Sequence, residues 1–134
     1  MEYNFLLLRD NKLSIKKKES FLQLNQENLD NLKEDYSLIS NNEIKGYKSF
    51  NSKVAELLKD NEVVIIFEKV SSALKELENN KIKAHLSREK FRKISFPIFV
   101  QSEYLKNYLK NSGPVFDLSS FLKNSNFHMI ELDS

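Results

Sequence analysis

Val63-Val64-Ile65-Ile66-Phe67 constrains the fold more than any other stretch of this chain. Five apolar residues, four of them β-branched, stand in a row between Glu62 and Glu68. A strand with one wet face alternates apolar and polar residues, and this run does not, so it reads as a strand buried on both faces. Such a strand needs cover above and below, and that points to a sheet with helices packed on it. "KISFPIFV", residues 93–100, is a second candidate of the same kind. Pro97 within it has no N–H for a ladder, which places it at an edge or a bulge.

The rest of the chain supplies the partners. Residues 4–18 predict a hairpin turning at Asp10-Asn11, with Leu8 opposite Leu13 and Leu6 opposite Ile15. Phe5 and Leu7 make the first strand apolar on its other side as well, so it should be central. A third short strand is expected over 20–24. Leu29, Leu32, Tyr36 and Ile39 follow helical spacing, which predicts a helix over 26–39 capped by Asn25. Further helices are expected over 50–60, stopped at Asn61, and over 69–79. Ser102 should cap a helix that ends at Gly113-Pro114, and Asp117 a short helix through Phe121 and Leu122. Residues 127–132 close as a strand. The expected fold is one mixed α/β domain over residues 1–134, with a sheet of five or six strands, an N-terminal β-hairpin and amphipathic helices packed on the sheet; α+β is the alternative.

Composition excludes several chemistries. The chain has no cysteine, hence neither a disulfide nor a thiolate metal site. Its two glycines, Gly46 and Gly113, cannot write G-x-G-x-x-G, a P-loop or a G-x-S-x-G elbow. His85 and His128 are too far apart for a local zinc motif. Glu68 and Glu103 both follow buried strands and would converge if those strands were parallel neighbours; otherwise they are first-turn helix acids. His128 reads as a strand histidine without a nucleophile or acid tied to it. Neither a catalytic motif nor a cofactor or metal site is expected. "MEYNFLLLRDNKL" lacks the features of a signal peptide and no run is long enough to span a membrane, so a cytoplasmic protein is expected.

One segment asks for a ligand. Residues 81–93, "KIKAHLSREKFRK", carry six cations against one acid, while the whole chain has a net charge of only +2. Residues 9–18 are also strongly basic. With 18 Lys, 15 Asn and only 3 Arg, codon drift in an AT-rich genome accounts for much of the lysine, so arginine is the more informative cation. Arg88 and Arg92 are four apart and, if 88–93 is helical, share a face suited to forking onto phosphate. With Lys90, Lys93, Lys81 and Lys83 they form the candidate polyanion site. The contrary reading makes 81–86 an edge strand whose lysines discourage pairing. Tyr104 and Tyr108, one helical turn apart, are the candidate interface pair. The functional expectation is a non-enzymatic module that binds another macromolecule, a protein in the first instance, with nucleic acid at 81–93 as the alternative. A homodimer through an open sheet edge, at the Pro97 strand or the terminal strand, is a third option.

Overall fold

The computed structural model describes residues 2–42, 51–69, 74–78, 81–86, 92–113 and 115–131, with 51, 68–69, 74–78, 81–86, 92–93 and 131 as backbone. Strands β1 (Tyr3–Arg9), β2 (Lys12–Lys17), β3 (Ser20–Gln23), β4 (Tyr36–Ser40), β5 (Val63–Lys69), β8 (Arg92–Gln101) and β9 (Phe127–Glu131) form one sheet in the order β3-β2-β1-β4-β8-β5-β9. β6 (Leu74–Glu78) and β7 (Lys81–Leu86) form a separate antiparallel pair. The helices are α1 (Asn51–Leu57), α2 (Ser102–Ser112) and α3 (Leu118–Lys123). The mixed α/β class is as expected, and the sheet is larger: seven strands rather than five or six.

A row of paired residues crosses the whole sheet: Leu22, Ile15, Leu6, Ile39, Ile98, Ile65 and Met129. Pairing fixes this row because a slip by one residue would move every apolar side chain to the other face. β5 shows the two-sided burial that its sequence demands. Val63 and Ile65 join the core under α2 and α3, with Leu105, Leu109, Phe116 and Phe121. Val64 and Ile66 join the core under α1, with Val54, Leu58, Leu38 and Phe99. The result is helix, sheet, helix in three layers.

Turn chemistry agrees with the sequence. Asp10 and Asn11 both adopt positive φ (51° and 59°), which gives the hairpin its tight two-residue turn. Gly113 ends α2 at φ 76°, and Asp117 caps α3 by accepting from the Ser119 N–H. Ser102 does not cap α2. It is buried as the helix's first residue, its hydroxyl 2.7 Å from that of Ser37.

Three further expectations are corrected. Residues 26–39 are not a helix: a short 3-10 turn spans Leu29–Asn31, and Tyr36–Ser40 is strand β4 at the centre of the sheet. Leu29 and Leu32 do reach the core, so the spacing was genuine, but Ser37, Leu38, Ile39 and Ser40 are all buried and need partners on both sides. Residues 74–78 are strand β6, where a helix over 69–79 was expected. Pro97 lies in a central strand, not at an edge. It falls where the β5–β8 register shifts between Ile65 and Ile66, so the ladder asks no N–H of it.

Candidate functional site

The direction of the strands locates the site. β4 runs parallel to β1, and β9 parallel to β5, while β8 is antiparallel to both β4 and β5. β1, β4, β5 and β9 therefore end on one side of the sheet. In open α/β sheets, ligands bind outside such carboxyl ends where the strand order reverses. Here successive strands leave β1 in opposite directions: β2 pairs on one side and β4 on the other.

That rim is stepped. Measured from the row through Leu6, Ile39 and Ile65, β1 continues to Arg9, about 10 Å, and β5 to Lys69, about 13 Å. β4 stops one residue on, at Ser40. Among the described residues a step in strand length thus lies at the end of β4, between the β1–β2 tip and the β5–β8 ladder, two strand spacings or about 10 Å across.

Basic residues occupy both walls of the step. Arg9 pairs with Lys12 across the hairpin, and both are exposed. On the other wall Glu68 pairs with Lys93, positions on the same face as Arg9, and Lys69 with Arg92, positions on the opposite face. Side chains alternate along a strand, so Arg9, Leu7 and Ser40 share the face that carries α1. Ser40 is fully buried; its hydroxyl donates to the Asn42 carbonyl (2.6 Å) and accepts from the Asn42 N–H (3.2 Å), turning the chain at the floor of the step. The β6–β7 pair is inserted between the end of β5 and the start of β8, both on this rim.

The polyanion candidates divide accordingly. Arg92 and Lys93 stand at the start of β8 on the carboxyl rim. Lys81 and Lys83 lie in β7. Arg88 and Lys90 fall outside the described residues. The shared helix face expected for Arg88 and Arg92 does not form, because Arg92 is in a strand. Sequence reasoning counted Arg9 only as part of the basic stretch 9–18 and passed over Ser40. Arg9 carried a usable signal, being the third of only three arginines. Ser40 carried none.

The interface pair is tied inward. The Tyr104 hydroxyl donates to the Phe121 carbonyl (3.1 Å) and the Tyr108 hydroxyl to that of Asp117 (3.4 Å). Burial holds the Tyr104 hydroxyl above its usual pKa, with the Glu62 carboxylate and Tyr108 adding to the effect. Glu68 and Glu103 cannot converge: β5 and β8 are antiparallel, so Glu68 is on the carboxyl rim and Glu103 begins α2 at the opposite one. His128 is exposed on β9. Among the described residues no three acidic or imidazole side chains gather to hold a metal ion, and no helix is long and apolar enough to cross a membrane.

Solved structures share this architecture. The fold is like that of several cytidylyltransferases of known structure. The 2-C-methyl-D-erythritol 4-phosphate cytidylyltransferase from Thermus thermophilus superposes with a TM-score of 0.64 at 13% identity, covering 81% of this chain and 57% of that one. The bifunctional IspDF from Campylobacter jejuni gives 0.57 at 19% identity, covering 81% and 29%. The 4-diphosphocytidyl-2C-methyl-D-erythritol synthase from Anaerococcus prevotii gives 0.55 at 16% identity, covering 80% and 54%. The chain thus spans between about a third and three-fifths of these proteins' lengths. No family model and no curated protein sequence matches it.

These likenesses overturn the functional expectation. A non-enzymatic macromolecule-binding module, with nucleic acid as its alternative ligand, was inferred from missing motifs and a basic run. The chain instead carries a fold that cytidylyltransferases carry. Missing glycine motifs argue only against loops that hold phosphate through backbone amides. They say nothing against a sheet rim that meets phosphate with side chains.

Proposed function

We propose that this domain belongs to a nucleotidyl-transferring enzyme and receives a nucleoside triphosphate at the carboxyl rim, over Ser40. The observation that carries the reading is the step in that rim, walled on the α1 face by Arg9 and Lys12 on one side and by the Lys93 position on the other. The fold shared with cytidylyltransferases supports it.

In such a transfer an oxygen of a phosphate monoester acceptor attacks the α-phosphorus of the triphosphate. The bond from that phosphorus to the bridging oxygen of the β-phosphate breaks, and pyrophosphate leaves with the electron pair. Charge builds on the leaving group, so fixed cations at its side lower the barrier. With two glycines in the chain, that role falls to Arg and Lys side chains rather than to a backbone cradle. Magnesium would arrive with the triphosphate as its counterion, and no step is assigned to a metal held by the described residues.

The test is release of pyrophosphate from CTP, UTP, ATP and GTP, with magnesium, over a panel of polyol and sugar phosphates. The reading expects release that requires both a triphosphate and a phosphate acceptor, and that falls about tenfold or more in Arg9→Ala or Lys93→Ala. Absence of acceptor-dependent release across the panel overturns it.

A further inference from the structure

A second groove lies on the other side of the sheet from Arg9 and Ser40, on the outer surface of α2 and α3. It is an open groove of about 330 Å³, lined by Tyr104, Asn107, Tyr108, Asn111, Ser112 and Asn124. In a chain that is 30% charged, none of these six residues is charged. The volume falls at the lower end of small-molecule sites.

Its lining is ordered. The two tyrosine rings are half-buried and locked against the core: Tyr104 packs on Phe121 at 5.0 Å between centroids, and Tyr108 meets Phe121 at 5.1 Å and Phe116 at 5.6 Å. Their hydroxyls are held by backbone carbonyls, so the rings cannot swing away. The asparagines are partly held too. Asn111 Nδ2 donates to the Asn107 carbonyl (2.9 Å), and Asn124 Nδ2 to that of Ser120 (3.1 Å). Each of these amides keeps its oxygen and a second N–H to offer. The Asn107 amide has no partner among the described residues.

We infer that this groove binds a neutral polyhydroxylated small molecule, a sugar or polyol. Each alternative fails on the lining. An anion or cation would find no countercharge among the six lining residues, and the one charge that acts on the groove from outside them, the Glu62 carboxylate near Tyr104, repels an anion. A purely apolar ligand would cover the amides of Asn107, Asn111 and Asn124 without replacing their water, and unpaired polar groups are unfavourable. A sugar ring offers C–H groups to aromatic rings and paired hydroxyls to amides, which donate and accept side by side. Ring-plus-amide contact at an open groove gives weak binding, with Kd in the millimolar range.

The experiment is saturation-transfer NMR of the protein with glucose, maltose, trehalose, inositol and glycerol, followed by titration of the strongest responder. Asn107→Ala and Asn124→Ala alter exposed side chains and leave the core intact. Saturable binding of at least one neutral compound is expected, weakened about fivefold or more by either substitution. The inference fails if no neutral compound binds up to about 20 mM, well above the expected Kd. It fails equally if both variants bind as wild type does, or if a sugar phosphate binds while its neutral parent does not.

Discussion

The hydroxyls of Ser37 and Ser102 lie 2.7 Å apart, although 65 residues separate them in the sequence. Both are buried, and Asn4 Nδ2 reaches both, at 3.0 and 3.3 Å, as well as the Glu34 carbonyl at 3.1 Å. The Asn4 side-chain oxygen in turn accepts from the Glu34 N–H. This network ties the first residues of β1, β4 and α2 together at the amino rim. It anchors the strands whose opposite ends form the proposed site.

Asn4→Leu removes the donor to the Glu34 carbonyl and the acceptor for the Glu34 N–H, and leaves the buried Ser37 and Ser102 hydroxyls with only each other. A loss of about 2–3 kcal/mol is expected, against less than about 1.5 kcal/mol for Ser37→Ala, which leaves the rest of the network paired. Urea unfolding of the three proteins checks the order.

Asp117→Ala should destabilise by about 1 kcal/mol. The carboxylate accepts from the Ser119 N–H and the Ser120 hydroxyl at the start of α3. Asp117→Asn keeps an acceptor there and should fall within a few tenths of a kcal/mol of wild type. Thermal melts at neutral pH distinguish the two.

Tyr104 makes stability depend on alkaline pH. Its hydroxyl is raised above the ordinary value of 10.0, chiefly by burial, so the folded state holds this proton at a pH where the unfolded chain has begun to lose it. Above pH 10.0 the unfolded state binds fewer protons than the folded one, and stability declines as pH rises toward the folded pKa. Below the unfolded value this contribution is complete. Denaturant midpoints measured from pH 8 to 11 should fall more steeply in wild type than in Tyr104→Phe.

Exposed Arg9 should matter to ligand and not to folding. Arg9→Ala is expected within about 0.5 kcal/mol of wild-type stability, while affinity for a nucleoside triphosphate falls about tenfold. Raising salt from about 50 to 200 mM should weaken the wild type more than the variant, since one cationic contact has been removed.

The sequence disclosed what depends on neighbours in the chain. The Asp10-Asn11 turn, the two-sided β5, the Gly113 stop and the Asp117 cap were all legible, because each follows from local backbone or burial preference. β4 was not. Leu29, Leu32, Tyr36 and Ile39 fit a helical stripe, and only the docking of Tyr36–Ser40 between β1 and β8 makes that stretch a strand. Missing β4 hid the parallel β1–β4 pair, and with it the carboxyl rim. Arg92 and Lys93 were singled out for their charge, but their setting at the head of β8, with Arg92 opposite Lys69, depends on a register no local pattern reveals. Arg9 and Ser40 become neighbours of a site only once that topology is in place.

The most direct test is to map a titration with CTP and magnesium by amide chemical shifts. Shifts should concentrate at Arg9–Lys12, Ser40–Asn42 and the start of β8, and leave Asn4, Ser37 and Ser102 at the opposite rim undisturbed. Shifts at the amino rim, or none at saturating nucleotide, would contradict a triphosphate site over Ser40.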